Sequence, residues 1–284
     1  DNAGISTVFV HSNDTLDASG RAGGNSTALD FVYTDPTAIG TTTVLGTARN
    51  DTLTARVDSA NPSSFTLEDS DLTHFSNVEV FVFDNENALY SVNMEIGVLV
   101  DVAGLATFIG GAGDDTFDGS NAGANDYILN SSMVGGAGSD RVVGGTGKDK
   151  LVGTSGTALG NGEIDTLTGG AGNDTFIVGD ATNAYYNTKP NAGDYVLITD
   201  FSAGNIIQLR DLTATYGAIV RDSNGNIVDS NTNGYVVGGD IYSLGATAIG
   251  TANSFIYADT NKSCAPDAGD NLIAVIATGG AALV

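Results

Sequence analysis

The chain has 284 residues but only one cysteine, no tryptophan, two histidines and four prolines. With Cys264 alone no internal disulfide can form, so any cross-linking must come from another source. His11 and His74 are too few and too far apart for the metalloprotease pattern H-E-x-x-H, and the serine-hydrolase pattern G-x-S-x-G is missing. Cys264 has no base near it in sequence, so no nucleophile is set up there. Basic residues are equally scarce, 10 against 34 acids, for a formal charge of −24. Nucleic acids and anionic membranes are therefore poor partners, because both need basic patches. No run of 18 or more apolar residues is available for a membrane span. Nor does any stretch keep a helical period for three turns. The expectation is a nearly helix-free, non-enzymatic chain.

What the chain has in excess is glycine, 39 residues, and much of it is patterned. One nine-residue phrase, G-G-x-G-x-D-x-U-x with U apolar, occurs four times: Gly110 to Asp118, Gly135 to Val143, Gly144 to Val152 and Gly169 to Ile177. The glycines at positions two and four, Gly111 and Gly113, Gly136 and Gly138, Gly145 and Gly147, Gly170 and Gly172, let the backbone turn tightly and present carbonyl oxygens. Position six adds a carboxylate: Asp115, Asp140, Asp149, Asp174. Carbonyls and carboxylates without imidazole or thiolate form a hard ligand set, which suits calcium. Position eight (Phe117, Val142, Leu151, Phe176) sends an apolar side chain inward from a short strand. A flexible glycine linker would have no reason to keep these offsets.

These copies resemble the repeats-in-toxin (RTX) family. The resemblance implies an all-β fold, a right-handed parallel β-roll or β-solenoid, with consecutive phrases on opposite sides and calcium between loops stacked one turn apart. It also implies folding on calcium binding and export through a type I secretion channel. Gly153 to Ala158 continues the register with Ala158 in place of the aspartate. Gly160 to Thr168 restores Asp165 but has Glu163 at position four, and Asn121 to Leu129 keeps only Asp126 and Ile128. Interruptions are expected near Asn130 to Val134 and Thr154 to Leu159, with about three to five ions in all. The segment Val196 to Leu209, containing Asp200 and Phe201, is similar to the segment that closes RTX rolls, with Asn205 where the family usually has a second aspartate.

Three sections are expected. Residues 1–104 are an N-terminal β section, solenoid-like or a sandwich, with strands at Thr7 to Val10, Ala28 to Tyr33, Thr42 to Leu45 and Val78 to Phe83 and a strand pair over Ser91 to Val102. Its rhythm from Phe75 to Phe108 is similar to the calcium-free coils that precede RTX arrays in bacterial surface-layer proteins. Asn13 to Leu16 and Asn50 to Leu53 echo the second half of the phrase, either as Asx turns or as metal loops. Residues 105–210 are the roll with its closing segment. Residues 211–284 are a C-terminal β section with strands at Gly217 to Val220, Tyr235 to Val237, Phe255 to Tyr257 and Leu272 to Ala277. Within it Asp259, Asn261, Ser263, Asp267 and Asp270 fall at the offsets of an EF-hand-like loop, either a further calcium site or a solvated acidic hairpin.

The charge needs neutralising, and calcium at extracellular concentrations can do it, which points to a secreted or bacterial cell-surface location. The start at Asp1 fits either a removed leader or a fragment. Two functional readings follow: a structural subunit of a surface layer or filament that self-assembles with calcium, or a calcium-dependent folding and secretion module of a larger enzyme or adhesin. For the first, the partners are further copies of the chain, through addition of the Asp1 to Val10 segment as a strand, and a cell-surface glycan as candidate anchor.

Overall fold

The computed structural model describes residues 6–19, 28–56, 64–84, 90–97, 106–120, 132–180, 183, 185–186, 193–201, 205–208 and the strands 220–221, 227–228, 235–238, 253–258 and 271–277. The chain coils as a parallel β-solenoid. Its first sheet stacks nine strands in the order Thr7–Val10, Asp30–Tyr33, Thr52–Arg56, Val80–Asp84, Thr107–Ile109, Ser132–Gly136, Lys150–Thr154, Thr175–Ile177 and Ile206–Gln208. Every neighbouring pair is parallel. The second sheet runs Ser64–Leu67, Ser91–Glu95, Thr116–Asp118, Arg141–Val143, Ile164–Thr168, Tyr195–Ile198 and Asn271–Ala277, again parallel. It then continues antiparallel through Asn253–Ala258, Tyr235–Gly238, Ile227–Val228 and Val220–Arg221. Near the N-terminus a third, parallel face is made by Thr15–Asp17, Thr43–Leu45 and Phe75–Ser76.

The register explains why the phrase fixes the fold. In the first sheet Phe31, Leu53, Phe81, Phe108, Met133, Leu151, Phe176 and Ile207 lie directly above one another, all buried. In the second, Leu67, Met94, Phe117, Val142, Leu167, Ile198 and Ile276 do the same. Position eight of each copy is thus one rung of a ladder, and slipping the register by one residue would turn the whole ladder outward. Each buried rung contributes roughly 1.5–3 kcal/mol relative to exposure. Phe108 and Phe117 meet across the interior with ring centroids 6.3 Å apart.

Several sequence expectations shift. The strand expected from Ala28 begins at Asp30, and the N-terminal section adds a short 3-10 turn at Pro36–Thr41, whose cap Asp35 accepts from the Thr37 N–H at 3.0 Å, and another at Asp69–Leu72. Of the strand pair expected over Ser91 to Val102, the first strand is Ser91–Glu95, and residues 98–102 lie outside the described residues. No interruption occurs over 132–134, which lie in regular strand paired with Lys150–Thr154. The larger correction concerns Gly153. It is not the start of a phrase that lost its aspartate at Ala158. Thr154 pairs with Gly136, which puts Gly153 and Thr154 at positions one and two of the loop that ends in Asp165. Ser155 keeps position three, its N–H donating to the Gly136 carbonyl at 3.0 Å, and residues 156–162 are extra chain, because the ladder demands the Ile164–Thr168 strand in register above Arg141–Val143.

Candidate metal centre

The turns at the two edges of the roll place the position-six residues in two columns. On one edge Asp115, Asp140 and Asp165 are stacked. On the other, Asp149 and Asp174 are stacked, followed by Asn205. All five aspartates are buried. Within a column each backbone N–H donates to the Oδ1 of the next residue up: Asp115 to Asp140 at 2.7 Å, Asp140 to Asp165 at 2.7 Å, Asp149 to Asp174 at 3.1 Å. Asp174 donates likewise to Asn205 Oδ1 at 2.9 Å.

The second carboxylate oxygen has a different fate in different loops. Asp115 Oδ2 and Asp149 Oδ2 accept from the position-two N–H of their own loops, Gly111 at 2.8 Å and Gly145 at 2.9 Å. Asp140 Oδ2 and Asp174 Oδ2 are buried with no hydrogen-bond partner. Burial accordingly pushes the acids up: Asp115 and Asp165 to about 6, Asp140 to about 9 with the neighbouring Asp165 charge assisting, and Asp174 upward as well.

The glycines complete the loops. Gly136 lies on Gly111, Gly138 on Gly113, Gly170 on Gly145 and Gly172 on Gly147, and a Cβ at any of the four upper positions would collide with the carbonyl beneath. Gly138 and Gly172 also need φ of 124° and 141°, a region closed to most side chains. The loops are tied by N–H to carbonyl bonds from Ala137 to Gly111 at 2.8 Å and from Ala171 to Gly145 at 3.0 Å. Position-one glycines leave the cradle open: a Cβ on Gly135 would strike Asp140 Oδ2, and one on Gly169 would strike Asp174 Oδ2.

Among the described residues no three carboxylate, imidazole or thiolate side chains converge on one point. The set on offer is one or two carboxylates per step, completed by stacked carbonyls. Two orphaned, buried carboxylate oxygens, no nitrogen or sulfur donor and a cradle that a Cβ would fill fit a hard divalent cation such as calcium. When bound, it would supply the positive charge that lets Asp140 and Asp174 stay ionised in a dry setting.

Other sequence candidates fall elsewhere. Asp200 stays out of the columns. Its two oxygens accept from the Gly169 and Gly170 N–H groups at 2.8 and 2.7 Å, so it ties the closing segment to the start of a loop. Asn205 takes the position-six place but turns a buried, unpartnered Nδ2 where an aspartate would have an oxygen, and an amide N–H cannot ligate a cation. Asp118 is on the outer face, paired with Arg141 at 3.0 Å. Asp126 and the loop of Asp259, Asn261, Ser263, Asp267 and Asp270 lie outside the described residues.

Of the two echoes, Asn13 to Leu16 is a local turn, with Asp14 Oδ2 accepting from the His11 N–H at 2.8 Å. Asn50 to Leu53 is more. Asp51 is buried, accepts from the Leu29 N–H one coil below at 2.7 Å and from the Thr47 N–H and hydroxyl, and a Cβ on Gly46 would strike its Oδ2. Gly46 to Thr54 is therefore a divergent phrase with protein donors around its aspartate. Glycine five residues before an aspartate, and leucine two after, was its legible signal. Sequence reasoning also missed Tyr186. It is fully buried, and its hydroxyl donates to Asp165 Oδ2.

Residues 107–122, 130–158 and 159–186 match the family model of the RTX calcium-binding nonapeptide repeat, in four copies. Comparison with curated proteins and with solved structures finds no match.

Proposed function

We propose that this chain, which carries RTX calcium-binding nonapeptide repeats on a parallel β-solenoid, is a structural, non-enzymatic extracellular protein: a subunit that assembles into a surface layer or filament when calcium folds it. The observation that carries this reading is the state of the outer strands. Thr7–Val10 and Ile206–Gln208 are the two outermost strands of the nine-stranded sheet, and they hold two of the three large apolar side chains exposed among the described residues, Phe9 at 56% and Ile206 at 49%. An outer parallel strand with unpaired backbone groups and an exposed aromatic residue is a template for a strand from another molecule. Joining one end of a solenoid to the other end of a second copy is a heterologous contact, which propagates as a fibre or sheet rather than closing.

Secretion agrees with the same features. RTX repeat proteins are typically secreted, and among the described residues no helix is long and apolar enough to cross a membrane. Glycine-rich loops whose stacked carboxylates repel would stay unfolded where calcium is scarce and fold where it is plentiful.

The test is electron microscopy of the purified chain with chelator and with millimolar calcium, alongside circular dichroism. Calcium should raise the β signal and produce ordered sheets or fibres, and Phe9→Lys should keep the first response and lose the second. A wild-type chain that gains β signal yet stays monomeric at millimolar calcium would favour instead the folding module of a larger secreted protein.

A further inference from the structure

One step of the solenoid concentrates buried oxygen atoms that have no partner. Three of them, Asp140 Oδ2, Thr154 Oγ1 and Glu163 Oε2, belong to the two loops that stack there, 135–140 and 153–165. The stacking is tight: Thr154 pairs with Gly136, the Ile164 N–H donates to Ser139 Oγ at 3.2 Å, and a Cβ on Gly135 would strike the Gly153 carbonyl. Asp140 is 2% exposed and Thr154 wholly buried, so solvent does not satisfy these atoms.

In the clean copies the upper loop has glycine at position four. Here that place belongs to Glu163, whose carboxylate accepts from the Gly138 N–H of the loop below and lies close enough to Asp114, Asp140 and Asp165 to feel their charge. Meanwhile the repeat's own carboxylate is spent. Asp165 Oδ1 takes the Asp140 N–H and Oδ2 takes the Tyr186 hydroxyl. Tyr186 is locked in that role: its N–H donates to the Leu159 carbonyl at 2.8 Å, and its ring lies where a Cβ on Gly160 would be. The extra chain at 156–162 thus delivers Tyr186 to Asp165 and puts Glu163 at the step below.

We propose that Glu163 is a calcium ligand outside the repeat's own pattern, acting with Asp140 and the Thr154 hydroxyl in the step between the Asp140 and Asp165 loops, while Tyr186 holds Asp165 as a framework group. The proposal rests on the calcium reading of the repeats. It makes this step richer in side-chain oxygen than the regular ones, and ligand charge is what tunes calcium affinity.

Calorimetric titration of the full chain with calcium tests it, comparing wild type, Glu163→Gln and Glu163→Asp. Gln keeps the size and the acceptor for the Gly138 N–H but removes the charge; Asp keeps the charge and shortens the reach. The expected result is one class of site weakened on the order of tenfold or more in E163Q and less so in E163D, with the remaining classes unchanged. If E163Q titrates like wild type, or if E163D is the more damaged of the two, Glu163 is a shape-filling residue and the proposal falls. A wild-type chain that takes up no calcium would instead refute the reading of the repeats themselves.

Discussion

The Asp115 N–H donates to Asp140 Oδ1 at 2.7 Å, so each carboxylate is steadied by the backbone of the residue carrying the same carboxylate one coil away. This bond fixes the acids at the strand spacing of about 4.8 Å. At that distance two ionised carboxylates repel by on the order of 3 kcal/mol for an effective dielectric near 20. A column can keep all its members charged only with cations between them.

The columns and the outer face should answer differently to substitution. Asp149→Ala and Asp174→Ala each remove a buried position-six carboxylate and should weaken calcium binding on the order of tenfold or more. Asp118→Ala removes a surface pair with Arg141, at 33% and 50% side-chain exposure and worth about 0.2–1 kcal/mol or less, together with an acceptor for the Ser120 N–H, and should leave calcium binding within about twofold. Calcium titrations of the three variants check the order. Equal losses in all three would mean that the columns are not the binding elements.

Acid should stabilise the calcium-free roll. Burial raises Asp140 to about 9 and Asp115 and Asp165 to about 6, from an ordinary value of 3.8. A folded-state value above the unfolded one means that the folded chain holds its protons more tightly. The stabilisation is complete below about pH 4 and fades as pH rises through about 6 and then about 9. In chelator, the β signal and melting temperature should therefore fall between pH 5 and pH 8. Calcium binding at neutral pH should release protons, since the ligands must ionise. Both are measurable by circular dichroism and by calorimetry in buffers of different ionisation enthalpy.

Asn205→Asp should extend the second column by one acid. The Asn205 Oδ1 already accepts from Asp174, and only its orphaned Nδ2 would change to oxygen. Calcium affinity should rise, on the order of tenfold for one site, and stability in chelator should fall. An unchanged isotherm would show that the end of the column at Asp174 is closed for another reason.

The parts of the fold legible in the sequence were those with constant spacing. Phe117, Val142, Leu151 and Phe176 read as rungs because each stands two places after an aspartate, and the ladder keeps them so. The Asp165 loop was misread because seven extra residues, 156–162, separate position three from Glu163, and only pairing with the coil below reveals that Gly153 opens it. Tyr186 could not be found at all, since it meets Asp165 across 21 positions and no pattern links a tyrosine to a nonapeptide. Asp51 was half legible: its turn was visible, but its burial depends on Leu29 and Thr47, which the phrase does not specify.

Where Asn271–Ala277 lies along Tyr195–Ile198, the second sheet stops running parallel and folds back through four antiparallel strands. A neighbour approaching there would meet backbone of the wrong polarity to prolong the winding, whereas Ser64–Leu67 and Thr7–Val10 at the opposite end keep the original direction. The molecule is thus directional: at one extremity both sheets end on strands that keep the parallel course, and at the other only the first sheet does, through Ile206–Gln208.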